Sequence, residues 1–325
     1  MMANKSRYYS VLHKTRFYYD APISESYMEV YMHPRTENLQ RCLNFTLNLE
    51  PSARTFSYQD YLGNTIHHFD IPQFHNSLTI SAESQVQIDP APDLPDFVPQ
   101  SAWDALDTLL AENDFWEMLT PSDFTTPTPS LVALSEELNL RTRRDDPLSL
   151  LRNLNTALYN SFDYAPNTTK VDSPIDLALD SRQGVCQDFA HIMIAIIRNL
   201  GIPCRYVSGY IIPNENHDDR SPEHASHAWI EAYLPELGWT GFDPTNNLIV
   251  QDRHIRVAIG RDYADVSPTK GVFTGEAHTE LAVSVQVKWM DDLPFEDLLP
   301  EDNWEEYNPA QHQQIQIQQQ QQQQQ

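Results

Sequence analysis

Cys186, His227 and Asp243 are the residues whose types, order and settings suit covalent chemistry. Cys186 lies in Gly184-Val185-Cys186-Gln187-Asp188-Phe189-Ala190, where an extended, glycine-containing segment turns into an apolar-striped helix. His227 opens the strand pattern His227-Ala228-Trp229-Ile230-Glu231, and Asp243 closes the next one at Phe242-Asp243-Pro244. The thiolate is the nucleophilic form of cysteine, and a free thiol is only a few per cent thiolate at neutral pH. Unpaired backbone N–H groups and the helix dipole favour an anion at a helix start. A histidine in contact can take the thiol proton, and a carboxylate on its other ring nitrogen fixes its orientation. The chemistry expected of such a set is attack on an acyl carbon.

His227 and Asp243 are 243 − 227 = 16 residues apart around Leu234-Pro235-Glu236-Leu237-Gly238. Opposed residues of an antiparallel pair share a face; a two-residue slip keeps that face and a one-residue slip reverses it. An odd-length hairpin loop is therefore expected. Taken alone, Cys186 reads as a small buried core residue. Its place at a helix edge, with His and Asp on neighbouring strands, favours catalysis instead. Cys204 follows Pro203 at a strand opening and reads as core, while Cys42 faces away from the apolar positions of its strand and has no assigned role.

The rival chemistry is a metal site using His224 and His227 with Cys186 and His191. Glu223 to Ser226 reads as loop, however, and no paired-cysteine motif supports zinc, so no metal and no cofactor are expected. His191 is five residues after Cys186, about 140° round the helix, which favours packing. Asp188 reads as a helix cap favoured by the N-terminal dipole, with site support as the alternative. Tyr164 and Gln183 are upstream polar groups that can join the Cys186 N–H in an oxyanion hole, ordinary turn hydrogen bonds being the plainer reading.

Residues 8–88 read as a β domain. Leu43, Phe45, Leu47 and Leu49 alternate with polar residues, and Gly63-Asn64 is a hairpin signal. A sandwich is the expected architecture. Asp89 to Pro95 is a stiff, acidic, proline-rich connector. Helices are expected after Ser101, near Ser130 and from Asp146-Pro147, where a cap precedes proline at the first helical position. Phe189, Met193, Ile196 and Leu200 stripe the thiol's helix, which Gly201 and Pro203 end. Strands follow at 205–212, 227–233 and 239–243, and a strictly alternating strand at 281–289 returns to a sheet. The expected organisation is an N-terminal β domain over 1–90, a linker with helices over 91–145, a catalytic core with the returning strand over 146–290, and an acidic, glutamine-rich disordered tail over 291–325.

At 325 residues the chain can hold about two domains of roughly 100–200 residues each. Its net charge of −25, from 21 basic and 46 acidic residues, argues against nucleic-acid or anionic-membrane binding. The acidic surface suits lysine-bearing protein substrates, although solubility alone explains it as well. Three cysteines make no disulfide framework, the N-terminus leads into nothing resembling a signal peptide, and no apolar run approaches the roughly 20 residues of a membrane span. A reducing cytoplasm is the expected compartment. The oligomeric state is not legible.

Four blocks carry a family resemblance: Arg182-Gln183-Gly184-Val185-Cys186-Gln187-Asp188-Phe189-Ala190; Arg198 through Tyr210; Ser226-His227-Ala228-Trp229-Ile230-Glu231-Ala232-Tyr233; and Gly238-Trp239-Thr240-Gly241-Phe242-Asp243-Pro244-Thr245-Asn246. In this order they resemble the bacterial transglutaminase-like proteins of the papain-like thiol enzyme group. Tyr18 to Ile23 and Asp60 to Asn64 resemble the β domain that accompanies this core, and the segment His254 to Val266 also resembles the family. The resemblance implies an α+β fold: a papain-like transglutaminase core, its nucleophile helix packed on an antiparallel sheet, preceded by an N-terminal β-sandwich. It implies Cys186 as nucleophile, His227 as base and Asp243 as the orienting carboxylate, with a peptide or protein amide as substrate. Cys204 stands where the family usually has a small residue such as alanine, and the glutamine tract is not a family feature. Hydrolysis by a peptidase or amidase is the favoured activity, because excluding water requires an additional feature. Transamidation and a non-catalytic binding module are the alternatives.

Overall fold

The N-terminal half is organised by one 24-residue strand, β1 (Arg7–Val30), that serves two sheets in a computed structural model describing residues 5–112, 115–140, 142–166, 168–213, 219–222 and 224–290. It is followed by β2 (Gln40–Glu50), β3 (Thr55–Gln59), β4 (Thr65–Ile71) and β5 (His75–Ile88). The first part of β1 pairs antiparallel with β5 up to Tyr18, a bulge follows between Tyr18 and Ile23, and Ser26–Val30 then pairs with β4. A bulge bends a strand and increases its twist, which lets β1 pass from one sheet to the other. Tyr19, Ile23, Met28 and Val30 of β1 meet Phe69 and Ile71 of β4 and Leu78, Ile80 and Ala82 of β5 in one buried core. The expected alternation holds: Phe45, Leu47 and Leu49 of β2 pack against that core.

Four helices follow the proline-rich connector: α1 (Ala102–Glu112), α2 (Trp116–Leu119), α3 (Pro129–Glu137) and α4 (Pro147–Ser161). Asp146 caps α4 by accepting from Ser149 N at 3.1 Å, with Pro147 behind it. The cap of α3 is Thr128, two residues before the expected start, accepting from Leu131 N. The short strands β6 (Asp163–Tyr164) and β7 (Gln183–Gly184) flank α5 (Ile175–Ser181) and pair in parallel.

The central helix α6 (Cys186–Asn199) lies on one face of a sheet ordered β11-β10-β9-β8-β12, built from β8 (Cys204–Ile211), β9 (His227–Leu234), β10 (Gly238–Asp243), β11 (Leu248–Ile249) and β12 (His254–Gly260). Every residue of α6 from Gln187 to Arg198 is buried, far more than the expected stripe. The sheet covers one side, and α3, α4 and α5 cover the rest. A helix enclosed all round needs little surface polarity, consistent with the apolar run from Ile192 to Ile197. Its one buried cation, Arg198, donates to the carbonyls of Met118, Cys204 and Arg261 and to the Thr125 hydroxyl, tying the helix end to three separate segments.

After α7 (Tyr263–Val266) the chain forms β13 (Thr269–Thr274) and β14 (Thr279–Met290), and both pair with β1. The returning strand thus joins the N-terminal sheet, in register from Tyr8↔Met290 to Tyr19↔Thr279. Of its apolar positions Val285 is buried, whereas Leu281, Val283 and Trp289 are exposed along the outer strand. Asn64 also links the halves: its side chain donates to Ile259 O and accepts from Ile259 N of β12. The described residues up to 290 form one compact unit, and the expected acidic, glutamine-rich tail lies outside the described residues. No helix among the described residues is long and apolar enough to cross a membrane.

Candidate active site

The thiol's position is set by the turn before α6. The parallel β6–β7 pairing matches Asp163 with Gln183 and Tyr164 with Gly184, and Ala165 N donates to Gly184 O at 3.0 Å. Val185 is extended, at φ −111° and ψ 177°, and its N–H donates to Asp188 Oδ2 at 2.8 Å. This is half of a capping box, in which a side chain at the third helical position satisfies the cap residue's N–H. Thr169 Oγ1 donates to the same oxygen at 2.6 Å. A Cβ on Gly184 would lie 2.8 Å from Asp188 Cβ and Oδ2, so lack of space requires glycine there. Burial pushes the Asp188 carboxyl up, while its hydrogen bonds to Thr169 and Val185 pull the other way. Its geometry is that of a cap.

Cys186 follows at the first helical position, half-buried, and is close enough to His227 to help raise the pKa of its ring. His227 starts β9 and is 2% exposed; Asp243 ends β10 and is fully buried. The β9–β10 loop contains three residues, 235–237, and opposed pairs run from Leu234↔Gly238 to Ile230↔Phe242, each summing to 472. The loop length is odd, as expected, and the register is two residues from direct opposition of His227 and Asp243. Both side chains therefore keep one face, and His227 Nε2 meets Asp243 Oδ2 at 2.8 Å.

The carboxylate is held from several directions. Its Oδ1 accepts from the backbone N–H groups of Thr245 (3.0 Å) and Asn246 (3.2 Å). Its Oδ2 accepts from Asn246 Nδ2 at 2.8 Å and meets His254 Nε2 at 3.2 Å. Burial alone would raise the Asp243 pKa, but the charge of His227 and the hydrogen bonds of His227 and His254 hold it well below the usual carboxylate range. Burial likewise disfavours charge on His227; Asp243 and then Cys186 outweigh that penalty, and the net shift is upward. On the other side of the ring, Nδ1 meets Ser221 Oγ at 3.1 Å, and Asn246 Nδ2 donates to that same hydroxyl at 2.9 Å. A buried imidazole held by a carboxylate on one nitrogen, with a partly buried thiol close enough to shift its pKa, can accept, store and return a proton.

Tyr164 is half-buried near the sulfur; burial and then the Cys186 and Asp188 charges raise its phenol. Tyr206 and Tyr263 also face Cys186 electrostatically. Gln183 is exposed on β7, away from a buried donor position. His191 accepts from Tyr263 N and stacks on Phe124, and burial lowers its pKa to about 3, which fits the packing reading. His224 is exposed and gives its backbone carbonyl to Val285 N. Burial pushes the Cys204 thiol up to about 12 and the Cys42 thiol up to about 11.

Three polar neighbours of the site escaped the sequence reading: His254, Asn246 and Ser221. His254 and Asn246 lie in segments that resemble the family, where spacing gives no role, and Ser221 lies in a polar loop without any signal. His227, Asp243 and His254 bring three ligand-capable atoms within 4.8 Å of one another, a different set from the expected metal rival. Asp243 Oδ2 is already engaged by both imidazoles and the Asn246 amide at hydrogen-bond distances, so the contacts fit proton sharing.

Residues 136–244 match the model of the transglutaminase-like superfamily, and residues 9–87 match that of the bacterial transglutaminase-like N-terminal region. The chain is 33% identical over 278 residues to protein ML0607 of Mycobacterium leprae, covering 85% of this chain and 97% of that one. It is also 32% identical over 123 residues to a protein-glutamine gamma-glutamyltransferase of Pseudomonas aeruginosa, spanning 36% of this chain and 18% of that protein. A crystal structure from Cytophaga hutchinsonii, of a protein provisionally named a cysteine protease, matches with a TM-score of 0.68 at 20% identity, over 89% of this chain and 92% of that one. That likeness shows a shared fold.

Proposed function

The chain belongs to the transglutaminase-like superfamily, and on that premise we propose that it is a thiol enzyme acting on amide or isopeptide bonds through an acyl-thioester on Cys186. The observation that carries this reading is the partly buried thiol at a helix start, close enough to a buried imidazole to help raise its pKa, with Nε2 of that ring held by Asp243. His227 takes the thiol proton, and the sulfur attacks the carbonyl carbon. The C–N bond then breaks as the His227 imidazolium protonates the leaving nitrogen, which departs as an amine or ammonia. The Cys186 N–H at the helix start is the proposed donor to the tetrahedral oxyanion, with the Tyr164 phenol as a second candidate donor. Water, deprotonated by His227, attacks the thioester, releasing a carboxylic acid and restoring the thiol.

Hydrolysis is the favoured outcome, since excluding water requires an additional feature and none is evident among the described residues. Transamidation is the second reading, favoured by the name of the Pseudomonas relative; an amine then replaces water in the last step. The substrate class is a peptide or protein amide, and the net charge of −25 suits lysine-bearing partners. The proposed setting is a reducing cytoplasm, where the thiol stays free. The test is to trap acyl adducts on Cys186 from lysate, identify them by mass spectrometry, and repeat with Cys186→Ala and an added small primary amine. An adduct on Cys186 supports the enzyme reading, and amine incorporation into the released product selects transfer over hydrolysis. Absence of any adduct, together with equal alkylation of Cys42, Cys186 and Cys204, would leave a binding module.

A further inference from the structure

Asp243 is approached by two imidazoles, and the second comes from far away in the fold. His254 is the first residue of β12, the edge strand on the opposite side of the sheet from β10 and β11, yet its Nε2 reaches Asp243 Oδ2 at 3.2 Å. It is 1% exposed and packs edge-on against Trp229, with ring centroids 5.0 Å apart and planes at 70°. Its centroid is 6.0 Å from that of His227. The carboxylate cannot donate, so the hydrogen in this contact sits on His254 Nε2. Its Nδ1 is then a buried lone pair without a hydrogen-bond partner among the described residues. Such an orphaned polar atom costs stability, and a position that bears this cost while donating its other nitrogen to Asp243 calls for a reason beyond packing.

We propose that His254 is a positioning residue for the reaction at Cys186: as a neutral Nε2–H donor it holds Asp243 Oδ2 against the His227 ring and takes up part of the carboxylate's charge. This role rests on the thiol-enzyme reading above. The groups facing His254 are Asp243 from β10, His227 from β9 and Arg253 beside it in the chain. Burial and the neighbouring His227 and Arg253 charges keep the ring neutral, against the pull of Asp243. With this donor removed, Asp243 loses one of its contacts and pulls harder on the His227 proton. The imidazolium then persists to higher pH and returns its proton to the leaving group less readily.

Iodoacetate tests this without knowledge of the natural substrate, because an anionic reagent loses rate when the imidazolium beside the thiolate is deprotonated. In the full chain, Cys186 labelling by iodoacetate against pH gives an alkaline limb that reports on His227. His254→Phe, which keeps a ring but loses the donor, is expected to move that limb up by about half a unit to one unit, a roughly three- to tenfold change in proton affinity. Gln places an N–H near the position of Nε2, whereas Asn reaches only as far as Nδ1. His254→Gln should therefore restore the limb and His254→Asn should not, a pattern that a merely space-filling role does not produce. If His254→Phe fails to fold, the Gln and Asn pair decides. A wild-type limb in both His254→Phe and His254→Asn overturns the proposal, as does zinc retained by the purified protein and lost in His254→Phe. Lack of any selective Cys186 labelling in the wild type would instead refute the thiol-enzyme reading.

Discussion

Gly184→Ala tests whether the turn before α6 positions the sulfur. The added methyl would sit 2.8 Å from Asp188 Cβ and Oδ2, about 0.6 Å inside ordinary contact at 3.4 Å. The carboxylate has little room to retreat, since it is buried and accepts from Val185 N at 2.8 Å and Thr169 Oγ1 at 2.6 Å. A retreat of that size stretches the bond to Val185 N past 3.2 Å, where hydrogen bonds weaken. Losing a hydrogen bond to a charged acceptor costs about 1.5–3 kcal/mol, and overpacking adds about 1–3 kcal/mol, partly the same energy. A total near 3 kcal/mol, at about 2–4 °C per kcal/mol for a large domain, lowers the melting temperature by roughly 6–12 °C. The helix start shifts with the clamp, so iodoacetamide labelling of Cys186 should slow by about tenfold or more, since misplacement near 1 Å has cost reactions up to about a hundredfold. Thermal melts and peptide-resolved labelling measure both effects. A variant with wild-type melting and labelling would refute the steric reasoning, and a lower melting point with unchanged labelling would separate stability from positioning.

Iodoacetamide at neutral pH is expected to label Cys186 well ahead of Cys42 and Cys204, whose thiols burial pushes up to about 11 and about 12, and His227→Ala should remove that lead. Peptide mapping reads the ratio; equal labelling of the three in the wild type contradicts an activated thiol. Glu231 is fully buried between Arg205 and Arg256, so Glu231→Gln leaves two guanidiniums without their counter-charge and should cost about 3–5 kcal/mol by urea denaturation. A change below about 1 kcal/mol would show that water compensates the pair. Because the His227 pKa is raised, to about 10 from 6.5, its contribution to stability is complete below pH 6.5 and lost as pH climbs toward 10. Urea midpoints of the wild type should fall across that window more steeply than those of His227→Gln, and parallel curves would contradict a protonated ring.

The sequence displayed the site more clearly than the frame around it. A helix start, a strand opening, a strand end and an odd loop were legible because each depends on local chemistry: Gly184 before the helix, Pro203 after it, and turn residues at 234–238. The register could be constrained to a face and not to a residue, and it settled two positions from direct opposition. His254 was illegible as a neighbour of Asp243 because strand order decides that meeting, and no periodicity encodes strand order. The stripe on α6 underestimated its burial for a related reason, since the covering helices are distant in sequence: α3 ends 186 − 137 = 49 residues before α6 starts, and α4 ends 186 − 161 = 25 before it. Only the β1 bulge between Tyr18 and Ile23 reveals that one strand serves two sheets, and backbone pairing rather than side-chain pattern records it.

Since both β13 and β14 clasp β1, the described part of the molecule is buckled shut by its first strand and its last two. A ribosome making this protein releases the thiol, the imidazole and the carboxylate well before residues 279–290, so the reactive centre is synthesised ahead of its fastening. Truncating at residue 90 to isolate the catalytic half would strip the partner from two strands and leave bare edges prone to sticking together. Useful fragments should be cut outside both clasps, because the halves that look separable in the primary structure share a single seam.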